Sequence, residues 1–459
     1  MSVTWLAGLW LLVAALSGAS GRWPRFRLAL SLGGLPLLAV LCLLTSQSGD
    51  TPNPLSGAAP VLSREAAGLM VAAAVALWLC LLLSDPGERP ELPGIGVVGG
   101  AAVLLLGAGS PLLFAVAVLL AVGGLSLRWI AVAPGRATLA AGRVAGTGAA
   151  ALLAAAIFLP VTPQEGANTP AAGFVGALLV TGLIAITALV PLGGWAAGAM
   201  SRLEPVEAAT WLLLLAPALL VAFVAVPQGL PAIGRQAFQH TLLACGLLSV
   251  LWAGAQALRS GGSRPPGPET GPGSGSPGWE LPGVRRYRRL AIGDLALVAV
   301  GVGTVQPVAV AGGLVLILAH LVAAPVLLQE PRSELAMPRR LLWLALSGIP
   351  PAPSFWGRLL VLEGCARFSG PAMVVCLVAE GLMVLAGIRA LARPETVAHA
   401  PSPAALAQPG SEPASPSAAR AGGARPFHHV AVAWALGAAA IVLAVVPMVA
   451  VHLVFGANA

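Results

Sequence analysis

Lysine is missing from all 459 residues, and charged side chains of either sign make up only 9% of the chain. So little charge excludes an ordinary soluble domain of this length, whose surface would need far more. Cysteine is scarce as well. Cys42, Cys80, Cys245, Cys365 and Cys376 stand apart from one another with no metal-ligand, haem-attachment or redox spacing, so they read as small apolar packing residues. Nucleotide-binding loops and hydrolase triads are equally lacking. The expectation is therefore no cofactor, no metal and no redox site within this chain.

What is present is apolar. Hydrophobic residues form 58% of the sequence and mean hydropathy is +0.89, the composition of an integral membrane protein. Apolar runs long enough to cross about 30 Å of hydrocarbon at about 1.5 Å per residue recur along the whole chain. They lie near 5–19, 28–46, 66–84, 94–109, 111–127, 137–159, 172–190, 208–227, 234–257, 288–305, 308–328, 341–364, 371–392 and 428–455, which makes fourteen predicted helices. The first could pass for a signal peptide but has no basic n-region, so it reads as a span.

The arginines test this count, because basic residues collect in the loops on the inner side of a membrane. With the N-terminus outside, twenty of the twenty-five arginines fall in alternate, inner loops: among them Arg22, Arg128, Arg202, Arg285, Arg286, Arg288, Arg289, Arg339 and Arg340. A miscounted span would scramble that alternation. Both termini are expected outside a bacterial inner (cytoplasmic) membrane. The formal charge of +8 is thereby used up in inner loops and calls for no nucleic acid; lipid and other membrane proteins are the expected partners.

Two stretches, Ser260 to Pro282 and Pro394 to Pro426, are rich in Gly, Pro, Ser and Ala and read as flexible linkers. The expected organisation is N-terminal helices in 1–93, a first repeat in 94–227, a second in 228–392 with the loop 260–282, a linker in 393–426 and a C-terminal helix in 427–459. The repeat rests on two interrupted spans. Leu189-Val190-Pro191 and Ile349-Pro350-Pro351 each break an apolar run at proline, with a tryptophan, Trp195 or Trp356, a few residues later. Proline removes a backbone donor, so a break at membrane depth needs other partners for its carbonyls. Paired breaks at Pro191 and at Pro350 and Pro351 are the sign of a repeat transporter scaffold.

The segments LSGIPPAPSFWGRLLVLEG (346–364) and LVPLGGWAAGAMSRLEPVEAATWLLLLAPALLVAF (189–223) resemble the proline-containing signatures of the antiporter-like membrane subunits of respiratory complex I and the related multisubunit sodium/proton antiporters. Span order and count are most similar to the N subunit of NADH:quinone oxidoreductase. The resemblance implies an all-α fold of about fourteen transmembrane helices with inverted five-helix repeats and two broken helices. It also implies a place beside other membrane subunits, with quinone met only through neighbours, and a line of ionisable residues carrying protons or sodium at mid-membrane. The sequence departs from that line. Where the family has a glutamate in the fifth span this chain has Val118, and where it has lysines it has Ile186, Ala218 and Arg358.

A relay group must gain and lose a proton near neutral pH, which buried lysine does and arginine does not. Ionisable groups left inside spans are Asp294, His320, Arg358 and Glu380, with Arg143 and Glu363 nearer span ends. His320 matches a family histidine and is the best relay candidate, because imidazole titrates near physiological pH. Arg358 and Glu380 lie on consecutive spans and are expected to pair as a structural tie. Asp294 follows Arg288 and Arg289 near an inner end and is expected to be solvated, as are Glu204 and Glu207 around Pro205.

The function expected is a membrane-arm subunit of a complex I-like NADH:quinone oxidoreductase, or of a related proton-translocating respiratory complex. Its proton channel would be degenerate and its role largely structural. A free-standing secondary ion transporter on the same scaffold, and a still functional proton-pumping subunit, stay open as alternatives.

Overall fold

The computed structural model describes residues 2–19, 24–47, 54, 59–84, 92–132, 135–159, 170–200, 203, 205–259, 282–329, 333–392 and 427–446. Proline opens seven of its helices at the first helical residue, where the missing amide hydrogen costs nothing and the fixed φ favours the helix. In chain order the helices are α1 (Val3–Ala19), α2 (Pro24–Thr45), α3 (Arg64–Leu83), α4 (Leu92–Leu106), α5 (Pro111–Val132) and α6 (Arg136–Phe158). Then come α7 (Pro170–Ile186), the short α8 (Gly194–Met200), α9 (Pro205–Ala209), a π turn (Thr210–Leu215), α10 (Ala216–Ala222) and α11 (Ala232–Arg259). The remainder are α12 (Pro282–Thr304), α13 (Pro307–Leu327), α14 (Ala336–Leu346), α15 (Pro353–Phe368), α16 (Gly370–Ala392) and α17 (Phe427–Val445). Among the described residues there is no strand, only an isolated bridge between Gln47 and Ser63.

Each of the fourteen sequence spans overlaps one of these helices or a run of them. Seven stretches are long and apolar enough to cross a membrane by length and composition alone, and the remaining apolar helices are shorter. Both proline-marked spans are interrupted: α7 ends before Pro191 and α8 follows, α14 ends before Pro350 and α15 follows. The linkers expected at 260–282 and 393–426 lie outside the described residues, apart from Pro282, which opens α12.

One group of helices runs α4 to α10 and another α11 to α16, with α7 packed on α11 and α10 on α12 between them. α1 to α3 cover the first group, α3 also reaches α13, and α17 lies against α13 and α14. In lipid such packing depends on small residues that let backbones approach. Gly312 on α13 and Gly357 on α15 are the pair that matters here. A Cβ on Gly312 would sit 2.5 Å from the Gly357 carbonyl oxygen, and one on Gly357 would sit 2.9 Å from that of Gly312. That contact brings α13 and α15 together one residue before Arg358.

The expectation that arginines lie in loops is corrected for several of them. Arg285 to Arg289 belong to α12, and Arg339 and Arg340 to α14. Arg286, Arg288 and Arg339 are buried, with Arg288 Nη2 donating to the Leu203 carbonyl at 3.0 Å and Arg339 Nη1 to that of Val326 at 2.6 Å. Arg339 Nη1 also donates to the Gln329 carbonyl at 3.0 Å, which ties α14 to the end of α13.

Candidate functional site

The two breaks have the same backbone plan. Ile186 and Leu346, the last residues of α7 and α14, are 160 positions apart, and so are Ala188 and Gly348, which both have positive φ, 60° and 73°. The Val190–Pro191 and Pro350–Pro351 peptide bonds are cis. At matching positions, the freed carbonyls are those of Ala185 and Ile186 in the first break and of Ala345 and Leu346 in the second.

Different side chains answer those carbonyls. In the first break the indole N–H of Trp195 donates to Ala185 and that of Trp211 to Ile186, each at 3.1 Å. Trp195 packs against Trp211 and Trp129 with ring centroids 5.6 Å apart in both cases. The Val190 amide donates to Ser249 Oγ at 2.7 Å. In the second break Ser354 Oγ donates to Ala345 at 2.8 Å and accepts from the Gly348 amide at 2.9 Å. There Arg358 Nη2 donates to Leu346 at 3.3 Å. One break is thus closed by two indole donors, the other by a hydroxyl and a guanidinium.

Arg358 anchors a buried charge cluster. Its Nε and Nη2 both donate to Asp294 Oδ1, at 3.2 and 3.0 Å, and Nη2 also reaches Oδ2 at 3.2 Å. The same carboxylate meets His320 Nε2 at 2.9 Å, while His320 Nδ1 lies 3.4 Å from the Tyr287 hydroxyl. Asp294 and Tyr287 are fully buried, and His320 and Arg358 nearly so. A lone charge at this depth would be costly; here cation and carboxylate cancel, and the imidazole takes the second carboxylate oxygen. The histidine has a carboxylate on one nitrogen and a hydroxyl, which donates or accepts, on the other. Neutral and protonated imidazole both find partners without moving a heavy atom.

The structure therefore joins Asp294, His320 and Arg358 and corrects two expectations. Asp294 is not solvated: α12 packs directly on α13 and α15, which wrap its carboxylate. Arg358 gives its guanidinium to Asp294, and no ion pair with Glu380 occurs among the described residues. Glu380 is buried on α16 with the Cys376 thiol donating at 3.5 Å, and it shares with Arg358 an open cavity of about 670 Å³. Glu207 is also corrected: it is buried and accepts from Arg128 Nε at 2.7 Å, so the start of α9 is tied to the end of α5. Glu204 lies outside the described residues. Glu363 is exposed and pairs with Arg367 one turn along α15, and Arg143 is exposed on α6.

Tyr287 was not picked out from the sequence, although the signal exists. It is the single tyrosine of the chain and lies seven residues, two helical turns, before Asp294 on one face of α12. Val118, Ile186 and Ala218, matched to relay positions only by the sequence resemblance, are all buried and apolar. Among the described residues no group of three or more His, Cys, Asp or Glu is placed to hold a metal ion.

No protein-family model matches the sequence, and no curated protein matches it. Solved structures do. The chain is similar to one in respiratory complex I from Thermus thermophilus, with a TM-score of 0.70 at 19% identity over 97% of this chain and 98% of that one. It is similar to a chain of the Mrp complex from Dietzia sp., with a TM-score of 0.72 at 17% identity over 99% and 96%. A third likeness is to a chain of the membrane-bound sulfane sulfur reductase, an archaeal respiratory membrane complex, with a TM-score of 0.71 at 16% identity over 98% and 96%. The three share an architecture with this chain along nearly their whole length. At this identity the likeness establishes the fold, the antiporter-like arrangement expected from the two proline motifs.

Proposed function

We propose that this chain is a membrane-arm subunit of a multisubunit, proton-translocating respiratory complex of the complex I type, with a conduit that is incomplete in its first half. Fourteen spans, both termini outside a bacterial cytoplasmic membrane, and repeats in 94–227 and 228–392 belong to the same proposal. The observation that carries it is the contrast between the two breaks within one fold. Ionisable groups gather at the second, as Asp294, His320 and Arg358 with Glu380 nearby, while the first has tryptophan donors and apolar residues at Val118, Ile186 and Ala218.

Proton transfer along a file needs groups that exchange protons and water to join them. Arginine holds its proton throughout. Of the ionisable residues gathered at the second break, His320, Asp294 and Glu380 can change charge, which supports at most a half-channel. The main role of the Arg358–Asp294 pair is then to hold α12, α13, α15 and the end of α14 in register. Full-length coverage of subunits from three membrane complexes supports a place in an assembly over a free-standing transporter.

The test is affinity purification of the tagged chain from its native membranes, followed by proton-pumping measurements on the recovered complex. The proposal expects copurifying membrane subunits, and pumping that survives Glu380→Gln and His320→Gln once assembly is intact. A chain that purifies alone and moves an ion in liposomes would overturn it in favour of a free-standing transporter. Pumping abolished in assembled Glu380→Gln complexes would show a working conduit instead.

A further inference from the structure

The cavity shared by Arg358 and Glu380 is a groove that opens sideways between α15 and α16. Its rim is apolar and outward-facing: Leu359 is 41% exposed, Leu377 54%, Val378 56% and Leu385 53%. The exposed positions Val374, Leu377, Val378, Gly381, Leu385 and Ile388 recur at helical spacing and form one stripe along α16. In the middle of that stripe stands Gly381, where an added Cβ would have nothing within 4 Å. The result is an open notch on the outer face, level with the polar floor.

The floor has unused bonding capacity. Arg358 is 2% exposed, yet its Nη1 has no hydrogen-bond partner among the described residues. This nitrogen lies beside Gly348, which also lines the groove; a Cβ there would be 2.3 Å away from it. Among the described residues Glu380 has one hydrogen-bond contact, the 3.5 Å approach of the Cys376 thiol. A buried donor left unmade is costly, so a molecule that supplies an acceptor is favoured on docking. Charge decides the acceptor's type. The cation of Arg358 is already answered by Asp294, so a further carboxylate would add an unbalanced anion next to Glu380, whereas a neutral acceptor would not.

Resting on the assembly reading above, we propose that this groove receives a transmembrane helix of a partner subunit, which places an uncharged hydrogen-bonding side chain against Arg358 and Glu380. An amide fits best, since its oxygen accepts from Nη1 and its nitrogen donates to the carboxyl; a hydroxyl offers the same two functions at shorter reach. The notch at Gly381 lets the two helix backbones approach, as small residues do in membrane helix pairs.

The test is a photo-crosslinking residue in place of Leu377 in the full chain, expressed in its native membrane. The same residue in place of Leu112, which is 66% exposed on α5, is the control. The expected product at Leu377, and not at Leu112, joins the chain to a membrane-embedded subunit that also copurifies with the unmodified protein. Peptide mapping of that product should find Asn, Gln, Ser or Thr on the cross-linked helix. Gly381→Leu should lower recovery of that subunit about tenfold and leave the melting temperature of the purified full chain unchanged.

Cross-linking to lipid alone, or to a second copy of this chain, would overturn the proposal, as would unchanged recovery with Gly381→Leu. A cross-linked helix with only apolar residues or a carboxylate at that level would overturn the predicted chemistry. If the unmodified chain copurifies with membrane subunits while Leu377 labels lipid, the groove assignment fails and the assembly reading stands.

Discussion

Arg358 and Asp294 meet through two guanidinium nitrogens on one carboxylate, with Nε and Nη2 at 3.2 and 3.0 Å from Oδ1, in a site where neither residue is open to its surroundings. The forked geometry is one that an ammonium group cannot reproduce.

Removing either partner should therefore be expensive. Arg358→Ala leaves the buried Asp294 carboxylate without its guanidinium partner, and a loss of about 3–5 kcal/mol is expected, the range for breaking a buried pair. Arg358→Lys should recover part of it. Thermal unfolding of the detergent-solubilised chain reads both, and equal melting temperatures for the arginine, lysine and alanine forms would exclude a structural role for the pair.

The two positive-φ residues give a prediction of opposite sign. Ala188 pays about 1–2 kcal/mol for its left-handed conformation, so Ala188→Gly should raise stability by roughly 1 kcal/mol after the entropy of the unfolded glycine is subtracted. Gly348→Ala should lower it by more than the same conformational cost, because the new methyl meets Arg358 Nη1 and pushes the guanidinium off Asp294. Melting curves of the two variants should shift in opposite directions.

Trp195→Phe and Trp211→Phe remove an indole N–H while keeping an aromatic ring. Each should cost about 1–3 kcal/mol, the penalty of a buried carbonyl left unpaired. The rings touch, so the double variant should not equal the sum of the singles. A double-mutant cycle with no coupling would mean Trp195 and Trp211 do not act as one unit.

Water should be missing from the first half. Cysteine placed at Val118, Ile186 or Ala218 should resist water-soluble thiol reagents in the intact membrane, since all three positions are buried and apolar. Rapid labelling at Ile186 from the aqueous phase would reveal a water path through the first break and restore the pumping alternative.

The fold was largely legible, because length, hydropathy and proline position are written directly in the chain: spans at about 16–25 residues need no partner information. Pro191 lies between α7 and α8, and Pro350 between α14 and α15. The charge cluster was only half legible. Asp294, His320 and Arg358 stood out as ionisable residues in apolar runs, but which of them meet depends on how α12, α13 and α15 pack, and that is set by glycines such as Gly312 and Gly357. For the same reason Glu380 was assigned to Arg358 on adjacency along the chain, while Asp294, 64 residues earlier, took the contact. Glu207 was expected in solvent because polar residues after a break suggest a loop; its burial follows from Arg128, 79 positions away.

Backbone touching backbone at Gly312 and Gly357 leaves no side-chain cushion between the imidazole-bearing and guanidinium-bearing helices. Neither can slide lengthwise or roll without collision, so any rearrangement of this half must carry both as a single rigid block. The interrupted crossing beside them and the outward wall formed by α16 flank that block. If the parent assembly relays mechanical or electrostatic strain from one subunit to the next, it enters and leaves this one at those two edges.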